Sequence, residues 1–227
     1  MFTPLLNEKT FAHPLGKIVC IGRNYAAHAA ELNNPIPSEP ILFIKPASAA
    51  ADLTQPLVIP HDRGSVHHET ELALLIGAPL KNATTEEARA AVAGIGIALD
   101  LTLRDVQDKL KKDGHPWERA KAFDGAYPVS PFLGMKSVDA KNIDLQNLTI
   151  QLQRNGKLQQ DGNTAQMLFG AIDLIVEISK TFSLQPGDII STGTPAGVGP
   201  LQRGDKLIAT LGQNQPGDLI RIETTVL

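Results

Sequence analysis

Two glutamates stand two residues apart at the head of an apolar run, "VHHETELALLIG" (66–77). Strand residues alternate between faces and rise about 3.4 Å each, so in a strand Glu69 and Glu71 point the same way, roughly 7 Å apart along the backbone. Ala73 and Leu75 continue their face, while Thr70, Leu72, Leu74 and Ile76 take the other. Two acids beside buried side chains repel each other and are costly to desolvate. A cation removes both problems. A third acid, Asp100, closes "GIGIALD" (94–100), where Ile95, Ile97 and Leu99 share one face and Asp100 falls on the other with Gly96 and Ala98. Three carboxylates with open positions suit a hard, oxygen-seeking ion such as Mg²⁺ or Mn²⁺. Zinc fits less well, because no paired Cys or His spacing accompanies them. On spacing alone a second reading stays open, with Glu69 and Glu71 on an exposed edge and Asp100 capping a turn.

His28 and Glu31 are three apart in "NYAAHAAEL" and share one face of a short helix. A carboxylate beside an imidazole fixes its tautomer and raises its basicity, as a general base acting on water requires. A solvated ion pair has the same spacing. Three carboxylates and one divalent cation leave a net negative charge, so an anionic substrate needs further cations. Arg23, Arg104 and Lys121 can supply them, arginine being suited to gripping a carboxylate in a fork. Lys109, Lys111 and Lys112 read as an exposed flank, and Trp117 as an apolar anchor for the segment carrying Lys121. His67 and His68 gain no role. "TGTPAGVG" (192–199) lacks the Gly-Lys-Ser/Thr end of a phosphate loop, so it reads as a strand-to-strand turn, and no nucleotide is expected.

The elements that must hold these residues are mostly strands. "KIVCIG", "ILFIKP", "PLVIP" and "GIGIALDLTLRD" read as strands, and Asn155-Gly156 marks a hairpin between two alternating runs. "TTEEARAAVA" reads as a helix opened by a Thr84/Glu87 capping box. "NTAQMLFGAIDLIVEISKTF" reads as one amphipathic helix, with Leu168, Ile172, Ile175, Ile178 and Phe182 facing a core. The segment Val106 to Gly125 reads as irregular. Two "QPGD" turns, at 185–188 and 215–218, each precede an apolar strand. The expectation is a mixed α+β, β-rich chain with an N-terminal extension at 1–16 and a single catalytic domain at 17–227.

The net charge of −3 offers no footprint for nucleic acid or an anionic membrane. The single cysteine, Cys20, reads as a buried small hydrophobe and makes no internal disulfide. With no secretory leader pattern and no run of membrane-spanning length, the expectation is a cytoplasmic protein.

Five motifs in order, "IGRNYAAHAAE", "SVHHETELALLIG", "ALDLTLRDVQ", "PWERAKAFD" and "STGTPAGVGPL", resemble the fumarylacetoacetate hydrolase superfamily, nearest to its short stand-alone acylpyruvase-type members. The likeness runs from Lys17 onward. It implies a mixed β-roll core with a few peripheral helices and a homodimer. It implies Glu69, Glu71 and Asp100 as ligands of Mg²⁺ or Mn²⁺, with Ca²⁺ a further candidate. It implies His28 and Glu31 as a water-activating pair on a helix that orders over the site, and Lys121 as an active-site lysine. Arg23, Arg104, Gln107, Thr194 and Lys45 match positions near the substrate.

The activity expected first is metal-dependent hydrolysis of a carbon–carbon bond in 2,4-dioxo acids, giving pyruvate and a carboxylic acid. The resemblance also covers oxaloacetate decarboxylation, keto–enol tautomerisation, and isomerisation or decarboxylation of 2-hydroxy-dienoates from aromatic catabolism. The His–Glu pair ranks hydrolysis first, since tautomerisation needs no activated water. A non-enzymatic metal-binding protein is disfavoured by the cations expected around the acids. The expected partner is a small anionic 2-oxo acid.

Overall fold

The alternation read from the sequence sorts the central strands between two cores. In the computed structural model, which describes residues 2–213 and 217–227, Leu72, Leu74, Ile76, Ile95, Ile97 and Leu99 enter the larger core. Ala73, Leu75 and Ala98, from the opposite faces, enter the smaller one with Ile18, Cys20 and Tyr127. The main sheet is therefore buried on both sides. Each fully buried Leu or Ile contributes about 1.5–3 kcal/mol relative to exposure, which anchors these strands firmly.

The main sheet runs in the order Ile41–Lys45, Ile18–Gly22, Ile189–Ser191, Thr70–Ile76, Val92–Leu99, Tyr127–Val129, Ala50–Asp52, with Leu133–Gly134 also pairing to Val92–Leu99. Most neighbours are antiparallel, but Ile189–Ser191 pairs with Ile18–Gly22 in parallel, so the sheet is mixed. A four-stranded antiparallel sheet, Lys157–Asn163, Leu148–Arg154, Lys206–Gln213 and Asp218–Thr225, covers the larger core. A small third sheet joins Gly199–Pro200, Val66–His68 and Thr102–Leu103. Glu69 falls in the step between Val66–His68 and Thr70–Ile76, where the chain passes from one sheet to another. The result is the β-rich mixed fold expected, with few helices.

Local chemistry explains the helices. Thr84 accepts from the Glu87 amide while the Glu87 carboxylate accepts from the Thr84 amide, so the capping box opens Thr85–Ala90. Asn155 and Gly156, both at positive φ, make the hairpin turn. The first QPGD turn closes with the Asp188 amide donating to the Gln185 carbonyl at 3.0 Å. Gln215 and Pro216 of the second lie outside the described residues.

Three expectations are corrected. "PLVIP" forms no strand, only a bridge from Leu57 to Val226, because a proline at either end removes a ladder donor. The segment after Leu103 is not irregular. Arg104–Asp113 is a helix whose Val106 and Leu110, four apart, pack on the core, and it stops at Gly114 in the left-handed region. The long helix expected at 163–182 is shorter. Asn163 and Gln166 cap a separate 3-10 turn at Thr164–Gln166, and the helix proper is Ala171–Thr181. Leu168 consequently lies before it, whereas Ile172, Ile175 and Ile178 are buried as expected.

Residues 5–10 form a small hairpin, and Phe2, Leu6 and Phe11 pack on the smaller core. Cys20 is buried, and burial pushes its thiol well up. Among the described residues, no helix is long and apolar enough to cross a membrane.

Candidate metal centre and its rim

Glu69, Glu71 and Asp100 converge. Each is buried, and one carboxylate oxygen from each lies within 4.8 Å of the other two. The exposed-edge reading is thereby excluded. Pairing of Thr70–Ile76 with Val92–Leu99 puts Thr70 opposite Leu99, which carries Asp100 to the level of Glu69, and the Asp100 amide donates to the Glu69 carbonyl at 2.8 Å.

Cations sit among the acids. Lys121 Nζ donates to Glu69 at 2.8 Å and to Asp100 at 2.6 Å. Arg104 donates to Glu69 and, through its other terminal nitrogen, to Gln107 at 2.8 Å. Burial pushes the Glu69 carboxyl up, but Lys121 and Arg104 together outweigh it and hold the group well down. Lys121 is pushed the other way. Burial lowers it, Asp100 and Glu69 overcome that, and it stays a cation.

Glu71 differs. It accepts from the Ser191 hydroxyl and from the Gly193 amide at 2.9 Å, but among the described residues no cation pairs with it. Burial, then Asp100 and Glu69, raise its carboxyl to about 8. Asp100 Oδ1 lies 2.7 Å from Lys45 Nζ but makes no hydrogen bond, so it keeps lone pairs unspent. Oxygen donors, a buried oxygen without a hydrogen bond and a carboxyl that burial holds protonated until a cation replaces the proton are the chemistry of a hard divalent-cation site. The residues present fit such an ion.

Lys45 is placed behind this cluster, not on the pocket wall. Its Nζ donates to the carbonyls of Leu101 at 3.1 Å, Ala126 at 2.9 Å and Lys121. It braces the backbone that carries Asp100 and Lys121.

Above the acids, one pocket is lined by Arg23, His28, Arg104, Gln107, Lys121 and Thr194. The short helix Ala26–Glu31 brings in His28, which is buried, with its Nδ1 3.3 Å from Glu31. Glu31 also accepts from the Gly197 amide at 3.1 Å, tying the helix to the 192–199 turn. That turn needs its glycines. Gly193 and Gly197 have φ of +92° and +97°, and a Cβ would come within 2.7 Å of Asn24 Cβ at the first and 2.0 Å of the Gln159 carbonyl at the second. Thr194 is buried and aimed at the pocket, and its hydroxyl donates to the Thr70 carbonyl at 2.9 Å.

Several residues at the site had no signal in the sequence. Asn24 is fully buried and joins two loops, donating to the Thr192 carbonyl at 2.8 Å and accepting from the Phe169 amide at 2.9 Å. Gln160 reaches in from the second sheet. Its amide nitrogen donates to the Thr194 hydroxyl at 2.7 Å, and its oxygen accepts from the Thr70 amide at 3.0 Å. His68 Nδ1 lies 3.0 Å from that same oxygen and so carries the proton, which gives this histidine a bracing role. His67 is half-buried, and its ring is pushed down to about 4 by burial and then by Arg104. The lysine run splits: Lys109 and Lys112 are exposed as expected, but Lys111 is half-buried and lines the pocket. Its Nζ stands 5.5 Å over the Trp117 ring, and Trp117 tilts against Phe43 in the same wall. A helix not anticipated around Lys111 turned that side chain inward.

The family model for the fumarylacetoacetate (FAA) hydrolase C-terminal region matches residues 17–227. The oxaloacetate tautomerase YcgM of Escherichia coli K12 is 54% identical over 198 residues, 87% of this chain and 89% of that protein. The mitochondrial oxaloacetate tautomerase of Bos taurus is 43% identical over 192 residues, 85% of each chain. Among solved structures, a candidate fumarylacetoacetate isomerase/hydrolase from Oleispira antarctica superposes over the whole of both chains with a TM-score of 0.94 at 54% identity. A fumarylpyruvate hydrolase from Pseudomonas aeruginosa, in complex with Mn²⁺ and pyruvate, has a TM-score of 0.89 at 32% identity, over 100% of this chain and 95% of that one.

Proposed function

This chain belongs to the fumarylacetoacetate hydrolase family, and we propose that it is a divalent-cation-dependent tautomerase that interconverts the keto and enol forms of oxaloacetate. The observation that carries the proposal is the buried Glu69–Glu71–Asp100 cluster opening onto a pocket lined by cations and one imidazole. The relatives named for this activity are 54% and 43% identical over most of the chain, against 32% for the hydrolase, which sets tautomerisation ahead of hydrolysis.

Glu69, Glu71 and Asp100 would hold Mg²⁺ or Mn²⁺. When bound, the cation supplies a Lewis acid that polarises the 2-oxo carbonyl. Arg104, already fixed by Glu69 and Gln107, orients the substrate carboxylate. His28 donates from Nδ1 to Glu31, so its Nε2 is the basic nitrogen, suited to take the proton from C3. The electron pair of that C–H bond becomes the C2–C3 double bond, the C2–O π pair moves onto the oxygen, and the proton taken up by His28 Nε2 is returned to that oxygen to complete the enol. Lys121, held cationic by two carboxylates, offsets the charge that develops on the oxygen.

The His28–Glu31 pair also supports the second reading, hydrolysis of a 2,4-dioxo acid, in which His28 would deprotonate a water attacking the 4-carbonyl. A homodimer, which the resemblance implies, is part of the proposal and is tested by sedimentation. The activity test follows the ultraviolet absorbance of enol-oxaloacetate with Mg²⁺ or with EDTA, beside pyruvate release from oxaloacetate and from acetylpyruvate. The proposal expects Mg²⁺-dependent acceleration of keto–enol exchange, outpacing pyruvate release. Rapid cleavage of acetylpyruvate with no effect on the exchange would put hydrolysis first. No metal-dependent change with either compound would sink both readings.

A further inference from the structure

We propose that Lys111 and Arg23 form a second anion subsite, which takes the distal carboxylate of the substrate and makes the enzyme selective for 2-oxo dicarboxylates over 2-oxo monocarboxylates. The inference rests on the tautomerase reading and specifies how its substrate is chosen.

The argument begins with charge. Three buried cations, Lys45, Lys121 and Arg104, pair with Glu69 and Asp100, so even with Glu71 ionised the three acids are balanced in number. A divalent ion seated on those acids therefore leaves its own charge in excess. One carboxylate of a chelating 2-oxo acid offsets half of that excess, so the pocket stays positive and a second carboxylate is drawn to cations further out.

Arg23 and Lys111 stand there. Both are half-buried and line the same pocket, nearer to solvent than Lys121 and Asp100. Among the described residues, neither makes a salt bridge or side-chain hydrogen bond. Arg23 is held at φ 60°, a left-handed conformation that costs a non-glycine residue energy and recurs where a side chain is set for a task. The Lys111 ammonium stands over the Trp117 ring, which itself tilts against Phe43.

Helix-end electrostatics do not account for Lys111. A lysine in the last turn favours the helix dipole, but its neighbour Lys112 provides that from an exposed position at no cost in desolvation. Lys111 instead bears burial and the repulsion of Arg104 and Arg23, which together lower its ammonium, and Asp108 offsets this only in part. An anion between Lys111 and Arg23 would relieve that repulsion.

The test compares two unreactive ligands that differ by one carboxylate. Malate and lactate share the chelating 2-hydroxy acid end, and only malate carries a distal carboxylate. Each is titrated calorimetrically into the Mn²⁺-loaded protein, with oxalate as a probe of the chelating end alone. Wild type is expected to bind malate more tightly than lactate. Lys111→Met, which keeps the helix and an apolar side chain beside Trp117 but removes the ammonium, is expected to weaken malate about tenfold and leave lactate and oxalate within about twofold, the effect of one lost charge-assisted contact. Arg23→Gln should act in the same direction. Unchanged malate affinity in Lys111→Met, or an equal loss for all three ligands, overturns the subsite. Because this readout is binding, it is independent of turnover. A Lys111-dependent preference for malate in a protein that leaves oxaloacetate exchange unaccelerated would uphold the subsite and reject the tautomerase reading.

Discussion

The floor of the pocket and its rim are built on opposite terms. On the floor, Glu71 and Asp100 extend from strands buried on both faces, and Lys45 and Lys121 tie the acids to each other and to three backbone carbonyls. On the rim, His28 rides a six-residue helix whose polar tie to the opposite turn is Glu31 on the Gly197 amide, and Arg23 and Lys111 are half-exposed. The difference separates holding a cation from handling a substrate. A multivalent ion needs oxygens fixed in space, whereas substrate entry and proton transfer need groups that can adjust.

Substitutions on the floor should therefore cost stability, and those on the rim should cost rate. The largest effect is expected for Lys45→Met. It removes one of the two ammonium groups that face Asp100 and strands three buried carbonyls, and breaking a buried pair costs about 3–5 kcal/mol. Urea denaturation should show this, together with weakened Mg²⁺ binding. Wild-type stability would place Lys45 outside the frame of the site.

Next comes His28→Ala, which should lower kcat about 10²–10⁴-fold, the range for loss of a general base. Its melting temperature and Mg²⁺ affinity should be unchanged, and a large fall in either would erase the distinction between floor and rim.

Glu71→Gln sharpens the floor. With its carboxyl raised to about 8, Glu71 stays protonated in the folded metal-free protein while the unfolded chain ionises near 4.5. Between those values the folded state binds more protons, so metal-free stability falls as pH rises, and a bound cation restores it. Below about pH 6.5 the depressed His67 works in the opposite sense, so wild type in EDTA should lose stability from about pH 6.5 to pH 8, and Glu71→Gln should flatten that slope while binding Mg²⁺ far more weakly. Mg²⁺ affinity of the wild type should rise with pH up to about 8, since the ion displaces the proton. An identical slope in both proteins would contradict the assignment.

The smallest effect is expected for Glu31→Gln, a loss of about tenfold in kcat, the effect of one charge-assisted hydrogen bond reduced to a neutral one. Glutamine still accepts from Gly197 but no longer offers His28 a charged acceptor. Steady-state kinetics beside the His28 variant would show whether the pair acts as a unit.

The floor was legible in the sequence because strand alternation is a local rule. It put Glu69 and Glu71 on one face and Asp100 with Gly96 and Ala98, and the two cores divide along the same lines. The rim was less legible. Lys111 read as solvated because the helix that turns it inward was not recognised, and Gln160, Asn24 and Ser191 lie far along the chain from the groups they hold.

By itself, the sequence determined the residue types, the spacing that gives each strand an acidic end, the turns that Asn-Gly and Pro-Gly impose, and the likeness to a family. Only the tertiary structure decided that three acids separated by up to 31 positions meet within 4.8 Å, that three buried cations pair with two of them, and that Lys45 braces from behind while Lys111 faces the pocket. The reason is physical. Alternation is set by each residue's own backbone, whereas charge compensation depends on which distant groups the sheet order brings into one low-dielectric space.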